Sequence, residues 1–201
     1  MIFESLLELR SAFGSRHPSE SGAWWGEEDS ATGLSVTPFS VLANTPFYQG
    51  VEFISSMIAC LPHNTYRRDG AGGVNKDRDS GLSDLLRWQP NREATAFVHK
   101  KTQIVNKLLW GNSYAEIERD RTGKPIAIWH LPSYLVTPKR VYKKAGGGLT
   151  QNVEAATPED RDRGGEILYE VRGCISGSPE YLTSDQVFHV PGIGFNGLVG
   201  F

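Results

Sequence analysis

The chain has 201 residues, of which 39% are hydrophobic and 22% are charged, so it is globular in composition and long enough to bury a core. Its 21 basic and 23 acidic residues give a net charge of −2, which argues against a dedicated nucleic-acid-binding domain because such domains carry a basic excess. No apolar run approaches the roughly 20 residues that cross a bilayer, and no signal-peptide pattern is present, so we expect a soluble, intracellular protein without membrane contact.

Residues 1–44 are predicted to form an N-terminal arm that is partly disordered. The first 16 residues carry apolar side chains at helical spacing, which indicates a short amphipathic helix. We favour packing of this helix on its own protein or on a neighbouring copy over a role as a membrane-binding or partner-binding segment. The rest of the arm is rich in Ser, Gly and Thr. The helical apolar positions are Ile2, Leu6, Leu9 and Phe13.

The folded domain is predicted to span residues 45–201 and to begin with a helix. Thr45 is a suitable N-cap, and Pro46 follows it at the first helical position. Pro62 ends the helix, and a short strand at 64–67 leads into a glycine-rich loop at 68–79. The helix carries one apolar stripe that we expect to face the core, formed by Phe47, Val51, Ile54, Ile58 and Leu61.

Two further helices are predicted before the strands begin. Ser80 can cap a helix that Pro90 ends, and a longer helix runs from about Glu93 to Trp110. Gly111 can take the left-handed conformation that ends a helix. The inward side chains of the longer helix are predicted to be Phe97, Ile104, Val105 and Leu108.

The second half of the chain has the pattern of strands, at 113–119, 125–130, 134–138, 167–171 and 186–190. The first two form a hairpin around the turn at Thr122-Gly123. A basic block at 139–144 and an acidic block at 154–166 indicate a long solvated loop. Helices therefore come first and strands second, which predicts an α+β fold with a mainly antiparallel sheet.

The sequence contains no pattern that predicts catalysis, a cofactor or a metal. The five histidines lack zinc-site spacing, and His130 and His189 are expected to be half-buried, hydrogen-bonded strand residues. No serine lies in a Gly-x-Ser-x-Gly motif. The glycines at 192–197 match the letters of a dinucleotide loop, but the helix and acidic residue that such a loop requires do not follow.

Three other groups of residues are candidates for a disulfide, a cation site or a phosphate-binding site. Cys60 and Cys174 are expected to be free thiols, with a disulfide between them as the open alternative. The acidic residues of the 154–166 block alternate with Arg161 and Arg163, which favours a self-neutralising loop over a cation site. A solubilising role is favoured over phosphate binding for the basic block, which contains Lys139, Arg140, Lys143 and Lys144. The acidic residues are Glu159, Asp160, Asp162 and Glu166.

A series of short motifs resembles the portal proteins of tailed bacteriophages, particularly those of long-tailed phages. The series runs through the Leu-Pro string at 61–62, the Pro-Asn pair at 90–91, the Leu-Leu-Trp-Gly-Asn-Ser-Tyr string at 108–114 and the turn at 120–123. It continues with the Leu-Pro pair at 131–132, the strand at 182–189 and the glycine-rich loop at 194–200. The positions that carry the resemblance, expected to be structural, are Pro62, Pro90, Asn91, Gly111, Asn112, Tyr114, Gly123, Pro132, His189, Gly197 and Gly200.

This resemblance implies a structural subunit of the ring through which DNA enters and leaves the capsid. In that family the subunits form a ring at one capsid vertex, in the virion after assembly in the host cytoplasm. The implied partners are other portal subunits, the terminase, capsid and tail-connector proteins, and double-stranded DNA that passes without sequence recognition. The matched segments are similar to the wing region, and the stem and clip of the family lie beyond them, so we expect a fragment that is monomeric or weakly oligomeric.

The alternative is an independent binding module that uses exposed aromatic side chains. Five tryptophans could supply such a surface, although positions at helix ends and in strands favour core packing for three of them. The five are Trp24, Trp25, Trp88, Trp110 and Trp129.

Overall fold

The computed structural model describes residues 37–70, 72–77, 80–144, 147–152, 156–172 and 179–200. The predicted amphipathic helix, most of the N-terminal arm and Cys174 lie outside these ranges. Regular structure is present before Thr45, because helix α1 spans Pro38–Leu42. Thr37 and Ser40 form a capping box at its start, in which each side chain accepts a hydrogen bond from the other residue's backbone N–H.

Helix α2 spans Thr45–Ala59, close to the predicted bounds, but its cap and its buried face differ from the prediction. The Asn44 side chain caps the helix by accepting a hydrogen bond from the backbone N–H of Phe47. Of the predicted stripe only Val51 is buried, and it shares the buried face with Ser55 and Ala59. Most large apolar residues of α2 are exposed.

A hairpin replaces part of the predicted glycine-rich loop. Strand β1 (Thr65–Arg68) pairs antiparallel with β2 (Val74–Asp77), a strand that the loop prediction missed. Asp69 closes the turn by accepting a hydrogen bond from the backbone N–H of Gly73, at 2.5 Å. Arg67 and Asp77 form an ion pair at 2.9 Å across the hairpin. Side chains on the two strands therefore stabilise a segment whose turn residues alone indicated a loop.

Two helices precede the sheets. Ser80 caps α3 (Gly81–Arg87), as predicted, by accepting a hydrogen bond from the backbone N–H of Ser83 at 3.2 Å. Thr95 caps α4 (Ala96–Trp110), so this helix begins three residues later than predicted. The reason is that Asn91 already binds the backbone N–H groups of residues 93 and 94, which holds them in a turn.

The buried face of α4 is polar, contrary to the prediction. The apolar residues Phe97 and Leu108 are exposed, and Ile104 and Val105 are half-buried. Polar side chains are buried instead, and one of them serves neighbouring backbone: the Asn106 carboxamide accepts a hydrogen bond from the backbone N–H of Ser133. The buried stripe consists of Ala96, His99, Gln103, Asn106 and Trp110.

Gly111 follows α4 with φ 67°, which confirms the predicted left-handed end of the helix. A β-branched residue strongly disfavours this conformation. We therefore expect Gly111→Val to lower the free energy of unfolding by about 1–3 kcal/mol in urea denaturation. Gly50→Ala is the matched control, because Gly50 lies in a helix with open space at its Cβ position and should not be destabilised. Equal effects of the two substitutions would contradict this assignment.

Two antiparallel sheets form the second half of the chain, in agreement with the predicted α+β class. The three-stranded sheet has the order β4-β3-β9, and the four-stranded sheet has the order β6-β5-β7-β8. Their strands are β3 (Asn112–Arg119), β4 (Pro125–Leu131), β5 (Val136–Lys143), β6 (Leu149–Thr150), β7 (Glu166–Val171), β8 (Glu180–Thr183) and β9 (Val187–Pro191).

The segment predicted as a strand at 134–138 and a loop at 139–165 is organised differently. A 3-10 helix occupies Ser133–Leu135, and β5 then continues through the basic block. The basic residues pair with residues of β7 instead of solvating a loop: Lys139 pairs with the buried Glu170, and Lys143 forms an exposed pair with Glu166 at 3.4 Å. The acidic block contains helix α5 (Pro158–Asp162).

A hydrophobic core joins the two sheets. It combines side chains of the central strand β3 and of β9 with side chains of β5, β7 and β8. These strands pair across long separations in the sequence, as β3 does with β9. The core therefore depends on contacts between residues far apart in sequence. The core residues are Tyr114, Val136, Tyr169, Val171, Leu182 and Val187.

Candidate functional site: a buried junction at Asn112

Several motif positions meet at the start of β3, in a buried junction. Gly111 turns the chain out of α4, and Asn112 and Tyr114 follow at 4% and 2% exposure. Strand β3 lies between β4 and β9, so Tyr114 is opposite Leu131 on one side and His189 on the other. Because β3 has a neighbouring strand on each side, Asn112 and Tyr114 are buried.

The Asn112 side chain binds the backbone of Gly200, 88 residues further along the chain. Its Nδ2 donates to the Gly200 carbonyl at 2.9 Å, and its Oδ1 accepts from the Gly200 N–H at 2.8 Å. This two-bond pairing copies the pattern of an antiparallel strand pair. The glycine-rich loop at 192–200 is thereby fixed to the start of the sheet.

His189 joins the same junction through both ring nitrogens. Its Nε2 lies 3.0 Å from Asn112 Oδ1, and its Nδ1 lies 3.3 Å from the Tyr169 hydroxyl. Because Asn112 Oδ1 already accepts from Gly200, it is an acceptor toward the imidazole as well, so Nε2 carries the proton and donates. Nδ1 then accepts from the Tyr169 hydroxyl. Burial lowers the pKa of His189 to about 4, so the ring is neutral at pH 7.

Aromatic rings enclose this histidine. The Tyr114 ring stacks on His189 with centroids 4.5 Å apart, and Tyr169 and Phe195 meet it edge-on. Tyr114 and Tyr169 also contact each other, at 5.7 Å between centroids. Burial raises the pKa of both tyrosines. The rings keep water from the hydrogen bonds of the junction, which strengthens those bonds.

A further set of bonds ties the junction to the segment after β4. The Ser133 hydroxyl donates to the Asn112 carbonyl at 2.8 Å, and the Ser133 N–H donates to Asn106 Oδ1 at 3.3 Å. Pro132 precedes the 3-10 helix, and its carbonyl accepts from the Leu135 N–H. The end of α4, the start of β3 and the turn after β4 are therefore held together.

The loop at 192–200 is shaped by its own contacts. Asn196 Oδ1 accepts from the backbone N–H groups of residues 198 and 199, both at 2.9 Å. Arg140 donates to the carbonyl of Gly197, which has φ 93°. At Gly200 the backbone of Gly192 comes so close that an added Cβ would lie 2.2 Å from its nitrogen. Only glycine fits at position 200 without displacing the loop.

The remaining motif positions serve other connections. The Pro90 carbonyl and the Asn91 side chain pair with the backbone of Ile128, both at 2.8 Å, which fixes the α3–α4 connection to β4. Gly123 has φ 82° in the turn between β3 and β4. Pro62 follows α2, where Lys100 of α4 donates to the preceding carbonyl, that of Leu61. The structure therefore gathers five motif positions, Gly111, Asn112, Tyr114, His189 and Gly200, at the junction and places the others elsewhere.

The chemistry of the junction suits positioning. Asn112 and His189 use their hydrogen-bonding groups within the protein, and His189 is neutral. Asp160, weighed above as a cation ligand, is buried and accepts from the Lys143 N–H at 2.6 Å. Across the described ranges, no group of three or more His, Cys, Asp or Glu side chains could hold a metal ion.

Sequence reasoning missed several members of the junction. Ser133, Tyr169 and Arg140 act through contacts with residues 20 to 57 positions away, which no local pattern reveals. The one available signal was the Asn196-Gly197 pair, because Asn favours side-chain bonds to backbone two or three residues ahead. His130 also differs from the expectation, since neither of its ring nitrogens has a hydrogen-bond partner among the described residues.

The buried histidines predict a loss of stability in mild acid. Burial lowers the pKa of His130 to about 4, with the neighbouring His99 as a second cause, and His189 has a similarly low pKa. In the unfolded chain the two histidines bind protons near pH 6.5. Their protonation therefore does not reduce the free energy of unfolding above that pH, and it lowers this free energy as the pH decreases toward about 4. For His130 the slope is at most about 1.4 kcal/mol per pH unit.

Urea denaturation at pH 7 and pH 5 tests this expectation. His130→Phe removes one titrating group, so the variant should lose less stability than the wild type between the two pH values. Lys76→Ala in the exposed β2 strand serves as control and should keep the wild-type slope. An unchanged pH slope in His130→Phe would show that this imidazole does not titrate abnormally.

The three tryptophans that the structure describes differ in exposure and in their contacts. Trp110 is buried against Tyr134, Trp88 is 67% exposed beside Arg87, and Trp129 is half-buried. The Trp129 indole donates to Glu118 at 2.8 Å, so this ring has a partner within the chain. The exposure of Trp88 differs from the core packing expected for residues at helix ends. Trp24 and Trp25 lie outside the described ranges. No helix in the part of the chain that the structure covers is long and apolar enough to span a membrane.

Comparison with protein families gives one match that covers most of the chain. The model of the family described as "Phage portal protein" matches residues 45–201. Among individual proteins, the portal protein of Enterobacteria phage HK97 is 26% identical over 167 residues, which are 83% of this chain and 34% of that protein. The chain thus spans about a third of the length of this relative.

Solved structures share the fold. A chain in the neck of an empty gene transfer agent particle, computed with C6 symmetry, has a TM-score of 0.55 at 17% identity and covers 96% of this chain and 43% of that one. A chain of the native particle's virion gives 0.54 at 18% identity, with 96% and 42% coverage. A chain of the native neck, computed with C12 symmetry, gives 0.52 at 18% identity, with 89% and 39% coverage.

Proposed function

Because the chain belongs to the phage portal protein family, we propose that it forms the wing-like part of a portal subunit, within the ring through which DNA is packaged and ejected. The observation that carries this proposal is the family match over residues 45–201, which includes every residue of the Asn112 junction. The relative from phage HK97 supports the same reading. In this role the Asn112 junction holds the sheet and the glycine-rich loop in position and carries out no reaction.

A structural, non-catalytic role is consistent with the chemistry of the junction. Its histidine is neutral and bound on both nitrogens, and the Ser133 and Tyr169 hydroxyls have partners within the protein. A general base or nucleophile needs a free position toward a substrate, and the junction offers Asn112 and His189 none. We propose that all eleven motif positions are structural, with Gly111, Asn112, Tyr114, His189 and Gly200 fixing the glycine-rich loop to the sheet.

The partners follow from the proposed role. Other portal subunits would surround this one in a ring, in keeping with the C6 and C12 symmetry used for the particles that contain chains of this fold. Terminase, capsid and tail-connector proteins would bind the assembled ring, and double-stranded DNA would pass through it without sequence recognition. The protein would act at one vertex of the virion after assembly in the host cytoplasm.

Immunogold labelling of particles tests the location. An antibody raised against the exposed turn at 120–124 should label one vertex of each particle, or the neck after mild disruption, and an immunoblot should detect the chain in purified particles. Antibody absorbed with the same peptide is the control. Labelling spread over all vertices, or absence of the chain from purified particles, would contradict the proposal.

A further inference from the structure

Helix α2 presents an apolar face that the described residues leave exposed. Five large side chains on this face are 38% to 67% exposed, and the two most accessible on the helix itself are Phe53 at 67% and Met57 at 58%. At 100° per residue the four that belong to the helix lie on one side of it, next to the buried face of Val51, Ser55 and Ala59, and the fifth follows two residues after the helix ends. They are Phe53, Ile54, Met57, Ile58 and Leu61, named here the α2 patch.

This exposure does not come from a detached helix. Glu52 of α2 forms an ion pair with Lys101 of α4, and Lys100 of α4 donates to the Leu61 carbonyl at 2.8 Å. Both ends of this section of α2 are thus attached to the domain. The buried small residues face inward, so the α2 patch faces outward. A helix that is apolar on two sides normally has a partner on each side.

The size and charge of the α2 patch indicate what kind of partner covers it. The five side chains expose roughly 500 Å² of apolar surface, which suits the core of an interface that buries about 800 Å² on each partner. The only charged residue of α2 is Glu52, and Lys101 neutralises it. The two cations beside the patch are already bound, Lys101 to Glu52 and Lys100 to the Leu61 carbonyl, so the patch offers no free cation for DNA or for an anionic lipid surface.

We infer that the α2 patch is buried against the neighbouring copy of this chain in the assembled ring. This inference rests on the ring proposed above. A closed ring of identical subunits uses heterologous contacts, so each subunit must offer a different surface to each neighbour. An uncharged apolar helix face of this size supplies one such surface, and its burial would supply a main part of the association energy.

The test compares three variants of the complete gene product, sized by sedimentation velocity. Phe53→Glu and Met57→Glu each place a charge at the centre of the α2 patch, and we expect each to lower the ring fraction at least about tenfold while leaving a folded monomer. Val74→Glu is the matched control, because it places the same charge at a residue 59% exposed in the β1–β2 hairpin, and it should still assemble.

The labelling rate of Cys60 is a second measurement of whether the α2 patch is buried in the ring. This thiol is exposed, and it lies one helical turn beyond Met57. Maleimide labelling of the peptide that contains Cys60, followed by mass spectrometry, should be several-fold slower in the wild-type ring than in the dissociated Met57→Glu variant.

The outcomes separate the two proposals. A wild-type product that forms no ring would refute the proposed function itself. A wild-type ring that persists in both patch variants, with Cys60 reactive, would leave the ring in place and refute the inference. Loss of the ring in Val74→Glu as well would also refute it, because the charge effect would not be specific to the patch. If both patch variants melt more than about 10 °C below wild type, the side chains are covered within their own chain, and the inference is wrong.

Discussion

Replacing Asn112 by alanine is expected to lower the free energy of unfolding by about 2–4 kcal/mol. The substitution removes the bonds from Asn112 to both backbone groups of Gly200 and to the His189 ring. Asn112 is 4% exposed, so water does not readily replace these bonds. Each buried polar group that is left without a partner costs about 1–3 kcal/mol, and partial relaxation of the loop reduces the total.

Urea denaturation of the variant at pH 7 measures this loss. The control is Asn75→Ala, because Asn75 is an exposed strand residue whose side chain makes one long bond, at 3.4 Å, to Asp69. That control should stay within about 0.5 kcal/mol of wild type. A proton-exchange measurement should also show faster exchange at the Gly200 amide in Asn112→Ala. If the two variants were equally stable, Asn112 would not hold the loop.

The second large effect is expected for Tyr114→Ala, at about 3–5 kcal/mol. Tyr114 is 2% exposed, and it is the largest side chain among those fully buried in the described residues. It contacts Tyr169 and stacks on His189, so its removal leaves a cavity between the two sheets that the antiparallel strands cannot easily close. Both the core and the junction lose contacts.

Thermal and urea denaturation with two companion variants resolves this effect. Tyr114→Phe keeps the ring and should cost less than about 1.5 kcal/mol. Tyr66→Ala removes an equal side chain from a site that is 61% exposed in β1 and should cost under about 1 kcal/mol. A Tyr114→Ala loss no larger than that of Tyr66→Ala would mean that the ring does not pack in the core.

Local backbone rules made the most accurate predictions. Gly111 ends α4 in the left-handed conformation, Ser80 caps α3, and Gly123 lies in the turn between β3 and β4. Each of these features depends on a few adjacent residues, so a short stretch of sequence contains the information that determines it. The α+β class was predictable for the same reason, because the spacing of apolar residues over short stretches indicates helices in the first half of the chain and strands in the second.

The orientation of the helices could not be obtained in this way. Apolar residues at helical spacing indicate a face that avoids water, but they do not say whether the same chain or another chain covers it. In α4 the buried positions include His99, Gln103 and Asn106, while Phe97 is exposed. Asn106 binds the backbone N–H of Ser133, a residue that comes 27 positions later in the sequence, so its burial could not be read from the helix alone.

The site was predictable as a set of motif positions, although not as a geometry. Asn112 and Gly200 are 88 residues apart, and Arg140 reaches Gly197 across 57 residues. Such pairings follow from strand order, which the sequence pattern does not determine. The basic block shows the same limit, because Lys139 is predicted to be solvated until its partner Glu170 is placed beside it by the pairing of β5 with β7.

Mass photometry of the complete gene product at nanomolar concentration tests the central claim most directly. We expect one dominant species whose mass is an integral multiple of the subunit mass, corresponding to a closed ring of identical subunits. A product that remains monomeric at every concentration, while circular dichroism shows it to be folded, would contradict the assignment of this chain to a portal ring.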